Sequence, residues 1–196
     1  MPQRPSTVMA VLVCVTVLAC SACTTAPRTT RHTAADLLEA SDTLRDSLAR
    51  SAWLAGRGPS SPPYRLGLGE TVNRSADRLS QSARRVILAR TLLGEGMLDL
   101  FDARGVAVVL PPADAQELAR FGVDEASHVG AYERPSHVAQ ATFSSLTRVA
   151  SLAGGPADAR RDTFLVELTI IDADSRAVVF TDRFEYARVA AGRLFD

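Results

Sequence analysis

The sequence predicts an α/β (α+β) fold, a single domain with a mixed sheet and flanking helices. Three observations predict it. Residues 34–54 and 76–93 carry apolar side chains at helical spacing. Residues 163–172 place Phe164, Val166, Leu168 and Ile170 on one face of a strand. A turn at 172–176 then returns the chain into a second apolar run, 177–186, as a hairpin partner. Helices early and a hairpin late make a mixed sheet with helices packed on it. There is no internal repeat.

The N-terminus comes first. Arg4 is the only charge in the first 27 residues, and an apolar run of 12 residues, Val8–Ala19, follows it. A bilayer core needs ~20 residues, so this run does not span one. A basic start, a short apolar run and small residues make a secretory signal peptide, residues 1–19. The cleavage region Val17-Leu18-Ala19-Cys20 resembles the lipobox of bacterial lipoproteins, which implies lipidation of Cys20. Cys23 is the competing position, and an ordinary cleaved signal peptide with a soluble periplasmic product is the alternative. One acyl chain anchors weakly, but the several chains of a lipoprotein Cys hold firmly. Positions 21 and 22 are Ser and Ala, not the Asp of inner-membrane retention, so the outer membrane, facing the periplasm, is the expected location.

Removing residues 1–19 leaves 177 residues, ample for one core, with Cys20 and Cys23 as the remaining cysteines. No disulfide framework is available, so the fold must stand on its core. Residues 20–32 are small and polar and read as a tether; residues 33–196 read as the domain. Fully extended, the dozen residues after Cys20 reach ~43 Å.

Thr33-Ala-Ala-Asp36 resembles a capping box, with Asp in the usual Glu position. The helix it opens buries Leu37, Ser41, Leu44, Leu48 and Ala52. The Gly/Pro-rich linker 56–63 ends it. Tyr64–Leu68 follows as a strand, and Gly67 and Gly69 read as lying inside the strand, not in a phosphate-cradling loop. Asn73 then suits a turn, Ser75 the cap of the second helix, and Asp77 its first turn. That helix buries Leu79, Ala83, Val86, Ile87 and Leu93, and Gly94 suits a left-handed stop. Leu98–Asp102 alternates as a short strand. Val106–Leu110 is a further strand, 113–121 a short helix and 122–136 a loop. Residues 137–146 are β-rich, 154–158 read as a loop, and Arg160-Arg161-Asp162 reads as loop ahead of the long strand.

The charge excludes some partners. Arg supplies all 22 basic residues, balanced by 22 acidic ones, with no basic block, so nucleic acid is not an expected partner. His128, Glu133 and His137 match no metal-ligand spacing, and neither metal nor cofactor is expected. No Gly-x-Ser-x-Gly elbow occurs, and three His in the whole chain leave little for a triad, so the chain is not read as an enzyme. Arg78, Arg84 and Arg85 are candidate partner contacts, against the alternative of a solvated helix face. Trp53 and Tyr64 flank the linker, either pinning the first helix to the sheet or serving as contact aromatics.

Three segments in order carry a resemblance. They are the strand–Asn73-Arg74-Ser75–helix unit ending in "LLGEGMLDLFD", then "HVAQATFSSLTRVA", then "DTFLVELTIIDADSRAVVFTDRFEYAR". Behind a lipobox they resemble the penicillin-binding-protein activator lipoproteins of the LpoB type, related in fold to the N-terminal domain of TolB. The resemblance covers roughly residues 33–190. In its closing hairpin the matching positions are Leu168, Ile170, Ile171 and Asp172, then Phe180, Asp182, Glu185 and Tyr186. The resemblance implies a TolB N-terminal-domain-like fold. It also implies a non-catalytic lipoprotein that binds and stimulates a peptidoglycan synthase, a bifunctional penicillin-binding protein. Well-known members carry a long Pro-rich tether, and this chain departs from them there. A structural or assembly role in an envelope or secretion complex is the alternative.

Overall fold

A computed structural model describes residues 30–129, 133–150 and 159–191. Its core is a five-stranded mixed sheet in the order β2-β1-β3-β4-β5. The strands are β1 (Tyr64–Arg74), β2 (Val106–Val109), β3 (His137–Ala150), β4 (Ala159–Asp172) and β5 (Val178–Ala191). β1 runs parallel to both β2 and β3, whereas β3, β4 and β5 are antiparallel. The helices are α1 (Ala34–Ala49), α2 (Gln81–Leu93), α3 (Met97–Ala103) and α4 (Pro112–Arg120), with a 3-10 turn at Asp124–His128.

Alternation along the strands decides where the helices go. Ala139, Ala141 and Phe143 of β3 and Phe164, Val166, Leu168 and Ile170 of β4 are buried on one face. α1 and α2 cover that face with Leu37, Leu44, Leu48, Ile87, Leu88 and Leu92. Ser41 and Thr91, both buried, meet between the two helices, with the Thr91 hydroxyl 3.2 Å from that of Ser41. Among the described residues no helix covers the opposite face of β3–β5. Its rows read Gln140–Thr169–Thr181, Thr142–Glu167–Arg183, Ser144–Leu165–Glu185 and Leu146–Thr163–Ala187.

The two early glycines are explained by this outer face. A Cβ on Gly67 would meet the Pro135 ring at 3.0 Å, and one on Gly69 would meet Val138 Cγ1 at 2.4 Å. Both lie inside β1, beside a register shift between Leu68 and Thr71, where neighbouring side chains leave room for hydrogen alone.

Several expected boundaries move, each for a local reason. α1 stops at Ala49: Ala52 is exposed, and Leu54 fills the core from the following turn. β1 continues through Arg74, and Ser80, not Ser75, caps α2, its hydroxyl accepting from the Ala83 N–H. A helix from residue 76 needs the Asp77 carbonyl for its own ladder. Here that carbonyl accepts from the Asn73 amide, the Ser75 hydroxyl and the Leu79 N–H. Gly94 is extended (φ −60, ψ 168), and Gly96 is the left-handed residue, φ 76. Leu98–Asp102 is helix rather than strand, because Met97 and Phe101, one turn apart, are the buried pair. Arg160-Arg161-Asp162 belongs to β4, with Asp162 buried. The loop expected at 122–136 contains the 3-10 turn, and the one at 154–158 lies outside the described residues.

Candidate functional site

The domain has two polar ends. At the first, β1, β3 and β5 finish and β4 starts. Here Thr33 and Asp36 form the capping box of α1, and Arg188 of β5 donates to both Asp36 oxygens at 2.5 and 2.7 Å. Burial pushes the Asp36 carboxyl up, but hydrogen bonds from Arg188 and Thr33 outweigh it and hold it below its ordinary value.

Residues 30–32, placed in the tether by sequence, lie against this end. The Thr30 hydroxyl donates to Asp162, and the His32 N–H donates to Asp77 at 2.7 Å. His32 Nδ1 is hydrogen-bonded to the Tyr186 hydroxyl, and its ring packs on Phe164 with centroids 4.0 Å apart. The imidazole is 3% exposed, so burial lowers its pKa, and Nε2 has no hydrogen-bond partner among the described residues. Burial likewise raises the Tyr186 phenol. Asp162 is buried too, yet Thr30, Arg160 and Thr147 hold its carboxyl low. A cleft of about 470 Å³ opens beside the group, lined by Arg31, His32, Ala76, Asp77, Arg78 and Leu79. The Thr30–Asp162 and His32–Tyr186 pairings span 132 and 154 residues, and no local pattern announces them.

The Asn73–Ser75 corner borders that cleft. The Asn73 side chain accepts from the Ser75 N–H at 3.0 Å and its hydroxyl at 2.7 Å, and the Ala76 N–H donates to Ser145 at 2.9 Å. The corner is thus tied to β3. Of the three candidate contact arginines, Arg84 donates to the carbonyls of Thr71 and Leu79. Arg85 pairs with Asp114 at 2.7 Å and Glu117 at 3.6 Å. Arg78 alone of the three is exposed, so they form no common cationic patch.

At the opposite end Trp53 stacks on Tyr64, centroids 5.9 Å apart, and both pack against the core, which pins the chain after α1 to the sheet. The Arg57 guanidinium lies 3.4 Å from the centre of the Tyr64 ring and donates to the Arg104 carbonyl, tying down the Gly/Pro linker. His137 is buried beneath these rings, and burial lowers its pKa. Ser136, His137 and Asp172 come together here. The Ser136 hydroxyl accepts from the Arg65 N–H at 2.9 Å and is hydrogen-bonded to His137 Nδ1 at 3.0 Å, but His137 Nε2 stands 3.8 Å from Asp172, beyond hydrogen-bond reach. Asp172 instead caps its turn, and the Ser175 N–H and hydroxyl hold its pKa low. Glu133 pairs with Arg65, and the His128 side chain lies outside the described residues. Among the described residues no three His, Cys, Asp or Glu side chains form a metal-binding group.

An apolar groove of about 340 Å³ runs between α1 and α2 past Leu37, Leu38, Val86, Ile87 and Phe121. Leu38 is 42% exposed and Phe121 51%.

No protein-family model matches the chain, and no curated protein does. Among solved structures it is similar to the LpoB C-terminal domain from Salmonella enterica, at 12% identity and a TM-score of 0.43, over 77% of this chain and 98% of that one. The chain resembles LpoB. The Escherichia coli LpoB C-terminal domain is similar over the same shares, at 12% identity and a TM-score of 0.41. Lipoprotein GNA1162 from Neisseria meningitidis is similar at 11% identity and a TM-score of 0.35, over 65% of this chain and 84% of that one. The segments that carry the LpoB resemblance in the sequence lie in β1, α2, α3, β3 and the β4–β5 hairpin. Cys20, Cys23 and residues 1–19, read as a signal peptide, lie outside the described residues, among which no helix is long and apolar enough to cross a membrane.

Proposed function

We propose that the protein is a non-catalytic outer-membrane lipoprotein, anchored through Cys20 and facing the periplasm, whose domain binds and regulates a peptidoglycan synthase, a bifunctional penicillin-binding protein. The observation that carries this reading is the strand–Asn73-Arg74-Ser75–helix unit joined through β3 to the closing β4–β5 hairpin in one sheet, behind a lipobox. The chemistry of the domain supports it. Its buried titratable groups hold elements together: Asp36 with Arg188, His32 with Tyr186, Asp162 with Thr30. The Ser–His pair nearest to a nucleophile and base, Ser136 and His137, has no carboxylate within hydrogen-bond reach of the imidazole Nε2 among the described residues, Asp172 standing 3.8 Å away. What remains available is surface: the uncovered sheet face and the helix groove.

The docked Thr30 tightens one constraint. Ten residue steps separate Cys20 from Thr30, so the extended segment reaches ~36 Å at most. The synthase must therefore bring its docking domain close to the outer membrane.

Affinity capture of the lipoprotein from detergent-solubilised envelopes tests the reading. A bifunctional penicillin-binding protein is expected among the captured proteins. Capture of an unchanged large complex from cells lacking those synthases would favour an assembly role instead.

A further inference from the structure

We propose that the end of the domain from which the N-terminal segment leaves is a membrane-docking surface, resting on the anionic phospholipid leaflet that holds Cys20. The inference rests on the lipid-anchor reading and adds an orientation to it.

The first observation is where the chain departs. Thr30 and His32 are fixed to Asp162, Asp77 and Tyr186, so the segment toward Cys20 leaves at a defined end of the sheet. With ~36 Å of extended chain, that end stays near the membrane. The second observation is charge. Arg74, Arg78 and Arg161 are exposed at this end. Its aspartates are turned inward: Asp36 pairs with Arg188, Asp77 accepts from the His32 backbone, and Asp162 is buried against Thr30 and Arg160. Exposed Glu185 shares the row Arg74–Ser144–Leu165–Glu185, so among the described residues the exposed arginines of this end outnumber the exposed carboxylate of its strand rows, in a chain whose formal net charge is zero.

The third observation is apolar. On the outer sheet face at this same end, Leu146 is 56% exposed and Val189 50%. Leu146 lies in a row with Thr163 and Ala187, and Val189 stands opposite Arg161 on β4. Apolar side chains beside arginines suit the headgroup boundary, where the methyl groups enter and the guanidinium stays with phosphate. Each Arg near an anionic surface contributes about 1 kcal/mol, a factor of roughly five in affinity. Three of them make a factor of roughly a hundred.

The test uses the full mature lipoprotein with Cys23→Ser, reconstituted into vesicles of phosphatidylethanolamine and phosphatidylglycerol carrying a headgroup quencher. A fluorophore is placed at Val189→Cys or, at the opposite end, at Ser175→Cys. Strong quenching at 189 and weak quenching at 175 is expected. The difference should be lost in about 1 M salt, where the Debye length falls to ~3 Å. It should also be lost in Arg74→Gln/Arg78→Gln/Arg161→Gln, whose positions are exposed and whose folding is checked by circular dichroism. Equal quenching at both positions in incorporated protein, or a difference indifferent to salt, overturns the proposal. Protein that does not enter vesicles at all overturns the anchor reading, and the docking surface with it. Binding to pure phosphatidylethanolamine as strong as to the mixture overturns the charge argument.

Discussion

Arg188, near the end of the last strand, donates to both carboxylate oxygens of Asp36, in the first turn of the first helix. The same carboxylate accepts from the Thr33 N–H at 2.8 Å and closes the capping box. One side chain thus starts α1 and fastens it to β5. Asp36→Asn should cost about 1–2 kcal/mol in urea unfolding, through the lost charge-assisted bonds and a weaker cap. Combined with Arg188→Gln in a double-mutant cycle, the coupling should exceed about 0.5 kcal/mol. Additive costs would show that the pair stands apart in solution.

Stability should fall in two steps on acidification. His32 and His137 have lowered pKa values, burial being the main cause, so the folded protein keeps them neutral while the unfolded chain takes up protons near 6.5. Their contribution is complete above that value and is lost as pH drops toward the folded values. Asp36, Asp162 and Asp172 are held below their ordinary 3.8, so their contribution is present above it and lost at lower pH still. Denaturant midpoints measured between about pH 7.5 and 5 should decline in the wild type. They should stay flatter in His32→Gln/His137→Gln.

Glycine positions give a paired test. Gly69→Ala drives a methyl into Val138 and the Ala139 carbonyl, and overpacking of this kind costs about 1–3 kcal/mol. Gly58→Ala meets nothing within 4 Å, and it should be neutral or stabilise slightly by restricting the unfolded chain. Equal midpoints for the two variants would contradict the crowding at β1.

Legibility of the fold followed the range of the forces involved. β4 was readable because four apolar residues at period two face the helices, whatever surrounds them. The stretch Leu98–Asp102 was not, since five residues fit a strand and a helix alike. Met97 and Phe101 decide it through burial that the sequence does not display. Ser75 and Ser80 are both suitable caps; the Asn73 amide, by taking the Asp77 carbonyl, hands the role to Ser80. Of the polar end, Thr33–Asp36 was legible and its partner Arg188 was not, because the two meet only once the sheet is built. The same holds for Thr30 and His32, polar residues that composition alone assigns to a tether.

Localisation follows from one thiol. Cys20→Ala should release the protein from the membrane fraction, whereas Cys23→Ala should leave it bound. The reverse pattern would move the lipidation site to Cys23. Release by neither variant would remove the lipid anchor from the account.

The central claim is regulation of a synthase, and its most direct test is enzymatic. The purified mature lipoprotein is titrated into a purified bifunctional penicillin-binding protein from the same cells, and glycan polymerisation and cross-linking are followed. The account predicts a saturable rise in rate that the Asp36→Asn variant retains under conditions where it is folded. No change in either rate, and no binding at saturating folded lipoprotein, would contradict it.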